Sequence, residues 1–141
     1  MANIPERIER ELRPRLEAEA KSISEQFPLV KVSVSSFVGD SDSWHILGLE
    51  CLFTKAAADE ADEVALCVTT EGLDENPRIS VDITWGDPSG YIEAEMFEGF
   101  VPFSEDVLAM IKTNLDRFFK TFHRIIKSGK PSNRSNRKPN A

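Results

Sequence analysis

Residues 78–97, RISVDITWGDPSGYIEAEMF, decide the fold. Ile79, Val81, Ile83 and Trp85 alternate with Ser80, Asp82 and Thr84, the period of a strand with one buried face. Gly86-Asp-Pro-Ser-Gly90 turns the chain, and Tyr91 to Phe97 returns as a partner strand. Two registers compete. A five-residue loop sets Ile83 opposite Glu93 and mixes apolar with acidic side chains. A four-residue loop, Gly86 to Ser89, pairs Ile83 with Ile92, Val81 with Ala94 and Ile79 with Met96. A slip of one residue sends every side chain to the other face, so the register that keeps the apolar face whole is expected, unless a bulge intervenes. On the opposite face it sets Asp82 against Glu93, Ser80 against Glu95 and Thr84 against Tyr91.

Upstream, the same period recurs. Val64, Leu66 and Val68 share one side of a strand over Glu63 to Glu71, joined to the hairpin by a Gly72 to Pro77 loop. Leu47, Leu49, Cys51 and Phe53 share one side of Trp44 to Thr54, and Val30, Val32 and Val34 alternate in a strand running to about Val38. Gly39 to Ser43 is a polar turn, while Lys55 to Asp62 is enough for a helical turn and too short for a stable helix. Before the strands the period is helical. Ile8, Leu12, Leu16, Ala20, Ile23 and Phe27 recur at three and four within Pro5 to Phe27. Pro14 should kink or divide that helix, and Pro28 ends it.

Downstream, Ser104 followed by Glu105 and Asp106 is an N-cap with favourable first-turn charges. Leu108, Ile111, Leu115, Phe118, Phe119, Phe122, Ile125 and Ile126 then form one stripe, with Arg117, Lys120, His123, Arg124 and Lys127 opposite. Ser128-Gly129 ends the helix. The expected class is α+β: an N-terminal helix, a five-stranded mostly antiparallel sheet and a long C-terminal amphipathic helix packed on it. Residues 1–127 make the single domain, and residues 128–141 a basic tail with nothing to bury, flexible unless a partner orders it.

The 141 residues carry 17 Lys and Arg against 24 Asp and Glu, a net charge of −7, unevenly distributed. Residues 1–31 are neutral. From Val32 to Ile111 only Lys55 and Arg78 oppose 17 acids, leaving −15, whereas Lys112 to Ala141 has nine cations and the single acid Asp116, giving +8. An acidic middle repels nucleic acid and attracts basic partners; the basic end could bind phosphates or fold over the acidic surface. No apolar run of about 18 residues exists, and Met1 to Arg10 alternates charge where a secretory leader would be apolar. A cytoplasmic protein without membrane association is expected.

Signatures of catalysis are missing: no GxSxG, Walker loop, GxGxxG, HExxH or EF-hand loop occurs, and only His45 and His123 are available as imidazole bases. No catalytic residue, cofactor or metal is therefore assigned. Asp40-Ser-Asp42 lacks the spaced ligands of a calcium loop and reads as a polar turn. Cys51 and Cys67 sit in apolar runs without CxxC spacing and read as buried thiols. His45, at a strand start, could face solvent, and about 20 Å of strand separates it from Cys51. His123 reads as a solvated side chain.

The paired like charges on the hairpin are the most pointed signal. Asp82 opposite Glu93, with Glu95 alongside, destabilises a sheet unless something positive lies over it: a cation, a basic partner or the protein's own basic tail. The alternative is an open, salt-screened face. Trp44, Trp85 and Tyr91 are candidate aromatic anchors, although Trp85 shares the core parity of Ile83. The basic set Lys120, Arg124, Lys127, Lys130, Arg134, Arg137 and Lys138 offers a phosphate-binding alternative, whereas Phe118, Phe119 and Phe122 belong to the apolar stripe and not to a base-stacking platform.

In architecture alone, without a shared motif, the chain resembles type III secretion chaperones and small bacterial toxin-immunity proteins. The chaperone pattern has a helix between the third and fourth strands, where this chain offers only Gly72 to Pro77. The expected function is a non-enzymatic interaction module of inhibitor, immunity or adaptor type, binding a basic protein through Asp82, Glu93, Glu95, Tyr91 and Trp44. A nucleic-acid-associated protein using the basic end is the alternative, and a divalent-metal-dependent enzyme using the hairpin carboxylates a second.

Overall fold

The computed structural model describes residues 3–39, 44–53, 63–73, 75–85, 91–93 and 99–128, giving only the backbone of Phe53, Trp85, residues 91–93 and Ser128. The element order is α1 (Ile4–Gln26), β1 (Val30–Val38), β2 (Trp44–Phe53), β3 (Glu63–Glu71), β4 (Arg78–Trp85), β5 (Tyr91–Glu93), β6 (Val101–Pro102) and α2 (Glu105–Ser128). This is the expected helix, antiparallel sheet and helix.

The first helix starts where its sequence says it should. Asn3 Oδ1 accepts from Glu6 N at 3.1 Å, and Pro5 occupies the first turn, where its missing N–H costs nothing. Pro14 does not divide it: α1 is assigned as one helix across the proline. Pro14 lies on the exposed side, where the carbonyl that loses its partner can turn to water. In α2, Ser104 Oγ accepts from Val107 N at 3.1 Å, the N-cap read from sequence.

All strand pairings are antiparallel, in the order β1-β2-β3-β4-β5, with β6 beside β5 on the outer edge of β4. β6 is the strand the sequence does not announce. Two residues cannot show a period, and Pro102 is tolerable only on an edge. Leu49, Leu66 and Ile83 lie in one cross-strand row, as do Leu47, Val68 and Val81. Both rows are buried with the stripes of α1 and α2 in one core, and all eight stripe residues expected for α2 are buried. Burying each such Leu, Ile or Phe contributes about 1.5–3 kcal/mol.

The hairpin register is corrected by a bulge. Thr84 pairs with Tyr91, as the four-residue loop requires, but Ile83 pairs with Glu93, so the register shifts between them and Ile92 becomes the extra residue of β5. Glu93 is thereby moved from the position opposite Asp82, where like charges would repel. Glu95, the Ala94 and Met96 pairings, the Lys55 to Asp62 turn, Asp40 to Asp42 and residues 129–141 lie outside the described residues.

The helices run parallel. Arg7 meets Glu105 in a two-pronged pair at 2.7 Å for each bond, Glu11 meets Lys112 at 2.6 Å, Arg15 meets Asp116 at 2.8 Å and Glu19 meets His123 at 2.5 Å. Numbers rise together on both helices, and the sign alternates over the first three rungs, so sliding one helix by a rung would oppose Arg7 to Lys112 and Glu11 to Asp116. His123 is thus not a freely solvated side chain: it pairs with Glu19 and stands edge-on to Phe27, ring centroids 6.0 Å apart.

The turn between β3 and β4 depends on Gly72, at φ +65°, whose carbonyl accepts from Glu75 N at 3.1 Å. A Cβ there would lie 2.5 Å from the Asn76 carbonyl oxygen, while Gly99, at φ +80°, has open space around it. In thermal unfolding, Gly99→Ala should cost about 1 kcal/mol, for the backbone conformation alone. Gly72→Ala should cost more, because the turn must also move; equal losses would show that the contact with Asn76 is relieved without strain.

Candidate functional site

Among the described residues two surfaces collect the polar chemistry. The first lies where α1 crosses the edge strand β1. His45 belongs to the same face of β2 as Leu47, Leu49 and Cys51, so the strand turns it inward and leaves it 2% exposed. The solvent-facing position considered from sequence is corrected by its own parity with those core residues. Its Nε2 lies 2.8 Å from Glu9 Oε2. A carboxylate only accepts, so Nε2 carries the hydrogen.

Glu9 is held in turn by Arg13 at 2.9 Å. Arg13 also reaches Glu17 at 2.9 Å and the Val34 carbonyl of β1 at 3.2 Å, tying the helix to the edge strand. Burial pushes the Glu9 carboxyl up, but hydrogen bonds from Ser36, Arg13 and His45 outweigh it and hold the group below its ordinary value. A groove of about 640 Å³ opens beside this cluster, lined by Pro5, Glu6, Glu9, Ser36, Phe37 and His45 among others.

Behind His45, its cross-strand neighbour is Thr70. His45 Nδ1 and Thr70 Oγ1 are both buried without a hydrogen-bond partner. Hydroxyl, imidazole and carboxylate follow in the order of a nucleophilic triad. The geometry does not perform that chemistry as it stands: Thr70 is 0% exposed and its hydroxyl is not hydrogen-bonded to the imidazole. A nucleophile must be both activated and reachable.

The second surface is the face of the sheet turned away from the helices. Cross-strand rows Ser35, Gly48, Cys67, Asp82 and Ser33, Glu50, Ala65, Thr84 run across it. Among the described residues no helix packs against it. Glu50 Oε2 and the Cys67 sulfur each lie within 3.8 Å of where a side chain at Gly48 would begin, and Glu50 accepts from Ser35 Oγ at 3.2 Å. Burial pushes the Cys67 thiol up to about 12, and the negative charges of Asp82, Glu50 and Glu63 push the same way; in register Asp82 lies directly across from Cys67, Glu50 two residues beyond its β2 partner Gly48, and Glu63 four residues back along β3. At one end of this face Phe37, 53% exposed, stands edge-on to Trp44 at 5.5 Å, and the Trp44 indole fills the space a side chain at Gly39 would need.

Of the site residues expected from sequence, Asp82 and Trp44 lie on this face. Glu93 and Tyr91 are fixed only in backbone register, and Glu95 is outside the described residues. The carboxylates that share the face with Asp82 are instead Glu50, Glu63 and Glu71, the last paired with Arg78. The signal for Glu50 and Glu63 was available in sequence, since Glu50 has the parity opposite to Leu49 and Cys51, and Glu63 the parity opposite to Val64. Among the described residues no group of three or more His, Cys, Asp or Glu side chains is placed to hold a metal ion, and no helix is long and apolar enough to cross a membrane. Lys120, Arg124 and Lys127 are exposed on α2; Lys130, Arg134, Arg137 and Lys138 lie beyond the described residues. Comparison with known protein families, with curated proteins and with solved structures finds no match for this chain.

Two outcomes follow from these environments. Burial alone also pushes Cys51 up to about 12. At pH 8 each native thiol should therefore alkylate roughly a thousandfold more slowly than a free cysteine, recovering on unfolding; reaction at the free rate in the folded protein would contradict this. Glu9, with its pKa lowered on folding, stabilises above the ordinary carboxylate range, and that contribution is lost as pH falls through the folded value. Glu9→Gln should cost on the order of 1 kcal/mol at pH 7. The gap to the native chain should narrow on acidification toward pH 3, read by chemical denaturation; a gap independent of pH would sink the argument.

Proposed function

We propose that this protein is a non-enzymatic interaction module, of the inhibitor, immunity or adaptor kind, that binds a basic protein through the acidic open face of its sheet. One observation carries the reading: both helices pack on one face, and the strand register puts Glu50, Glu63 and Asp82 on the other, with the Phe37/Trp44 pair at its end. The carboxylates supply long-range attraction and orientation. The aromatic pair supplies apolar contact that charges cannot. The reading keeps Asp82 and Trp44 from the sequence, adds Glu50 and Glu63, and keeps Tyr91, Glu93 and Glu95 as neighbours on the hairpin. It places the protein in the cytoplasm, with its partner.

The test is capture from the native cell with elution by salt, followed by titration of the captured basic protein. The variant Glu50→Gln, Glu63→Gln, Asp82→Asn should lose roughly tenfold in affinity, since three half-buried surface charges contribute about 0.5 kcal/mol each. Its salt dependence should flatten. Unchanged affinity in the triple variant removes this face from the interface. Nucleic acid in the salt eluate, lost on neutralising Lys120, Arg124 and Lys127, transfers the reading to the basic end of the chain.

A further inference from the structure

The place where α2 ends bears on what covers the open face. His123 is fixed against Glu19 and Phe27. Phe27 caps α1, and its carbonyl accepts from Val30 N at 3.0 Å as β1 begins. Five residues beyond His123, about 7.5 Å of helix, α2 ends at Ser128. It therefore ends at the same end of the sheet as Val30, where Lys31 pairs with Leu52 and Leu52 with Glu63.

That end carries a groove of about 560 Å³, lined by Ser24 of α1, Val30 to Ser33 of β1, and Glu50, Leu52 and Glu63. It runs from the last turns of α1 round the edge of β1 onto the open face. Leu52, 41% exposed, gives it an apolar floor. Glu50 and Glu63 outnumber Lys31 as charges in its walls.

Residues 129–141 follow directly, with Lys130, Arg134, Arg137 and Lys138 and no acidic residue. At about 3.3–3.6 Å per residue, thirteen residues reach roughly 43–47 Å. Four strands at about 4.8 Å spacing are only about 14 Å across, so the segment is long enough to round the edge and cross the face. We propose that residues 129–141 fold back through this groove and lie over the open face, with their cations against Glu50, Glu63 and Asp82. Each exposed pair is worth little alone. Tethering supplies the remainder, because direct attachment to the end of α2 holds the segment at an effective concentration near millimolar. The occupant is then a built-in competitor for the surface that a basic partner needs. The inference rests on the reading of that face as a cation-binding surface, but concerns a contact inside one chain.

The experiment compares amide spectra of the isotope-labelled full chain with those of the variant in which Lys130, Arg134, Arg137 and Lys138 are changed to Gln. Shifts are expected at Ser33, Glu50, Leu52 and Glu63, disappearing in about 0.5 M salt, where the Debye length is a few ångströms. A spin label on Ser135→Cys should broaden the same amides in dilute solution. Identical spectra for the two chains overturn the proposal. So does broadening that appears when labelled chains are mixed with unlabelled, isotope-enriched ones, since the contact is then between molecules. Partner binding lost with Glu50, Glu63 and Asp82, but no shift on neutralising the segment, refutes the fold-back and leaves the interaction module standing. Shifts without any basic partner do the reverse.

Discussion

The parallel placement of α1 and α2 on a single face of the sheet is the constraint from which the other surfaces follow. Each helix has one apolar stripe, and each inner strand has one buried face, apolar except for His45 and Thr70 at one end. Those surfaces are satisfied together in one layer of core. No third amphipathic element remains among the described residues to cover the reverse of the sheet. The ion ladder from Arg7–Glu105 to Arg15–Asp116 refines the arrangement without supplying most of its stability. Exposed pairs contribute little net energy, but their alternation makes the neighbouring registers repulsive. Packing fixes which faces meet, and charge fixes how far along.

The elements were legible because their periods are clean. Val30 to Val38, Glu63 to Glu71 and the Ser104 cap could be read almost to the residue, since each has a sharp change of pattern at its boundary. What escaped depends on contacts between distant segments. Arg7, Glu11, Arg15 and Glu19 alternate in sign along α1, a legible stripe, yet nothing local says that α2 will lie parallel to it. His45 was misjudged for the opposite reason. Its parity with Leu47 and Cys51 pointed inward, but the polar ring suggested solvent, and only Glu9 reaching across from α1 makes the buried position tolerable. The bulge at Ile92 settles two loop lengths that each satisfied part of the pattern.

The His45 cluster and the open face use carboxylates in opposite ways. Glu9 is enclosed by Arg13, Ser36 and His45, so its charge is consumed locally in joining α1 to β1 and β2. Arg13 also occupies the Val34 carbonyl on the edge strand, which leaves that stretch of edge less open to another strand. Replacing one partner of such a cluster leaves a half-buried charge behind, which is why it reads as construction and not as a docking point. Glu50 and Glu63 face outward over a sheet that supplies a hydroxyl from Ser35 and an inert thiol from Cys67, and their field extends into solvent.

That contrast also explains the uneven charge of the sequence. Had the 17 acids between Val32 and Ile111 served only solubility, they would work as well scattered among cations, as they are in residues 1–31. Instead Arg7, Arg13 and Arg15 of α1 are engaged by acids of α1 and α2, and Lys112 by Glu11, while Lys120, Arg124 and Lys127 are exposed on α2 and four more cations follow it in sequence. A sheet face on which the acids outnumber Lys31 and the Glu71-paired Arg78, in a chain with its cations gathered at the end of its last helix, offers on the proposed reading an attraction that can be satisfied within the molecule or by a competitor. Which of the two prevails at a given ionic strength is set by tethering against affinity, because screening weakens both alike. A folded-back segment loses to a partner only when that partner adds contacts the segment lacks. The Phe37/Trp44 pair, at the far end of the face from the groove, is where such contacts are offered.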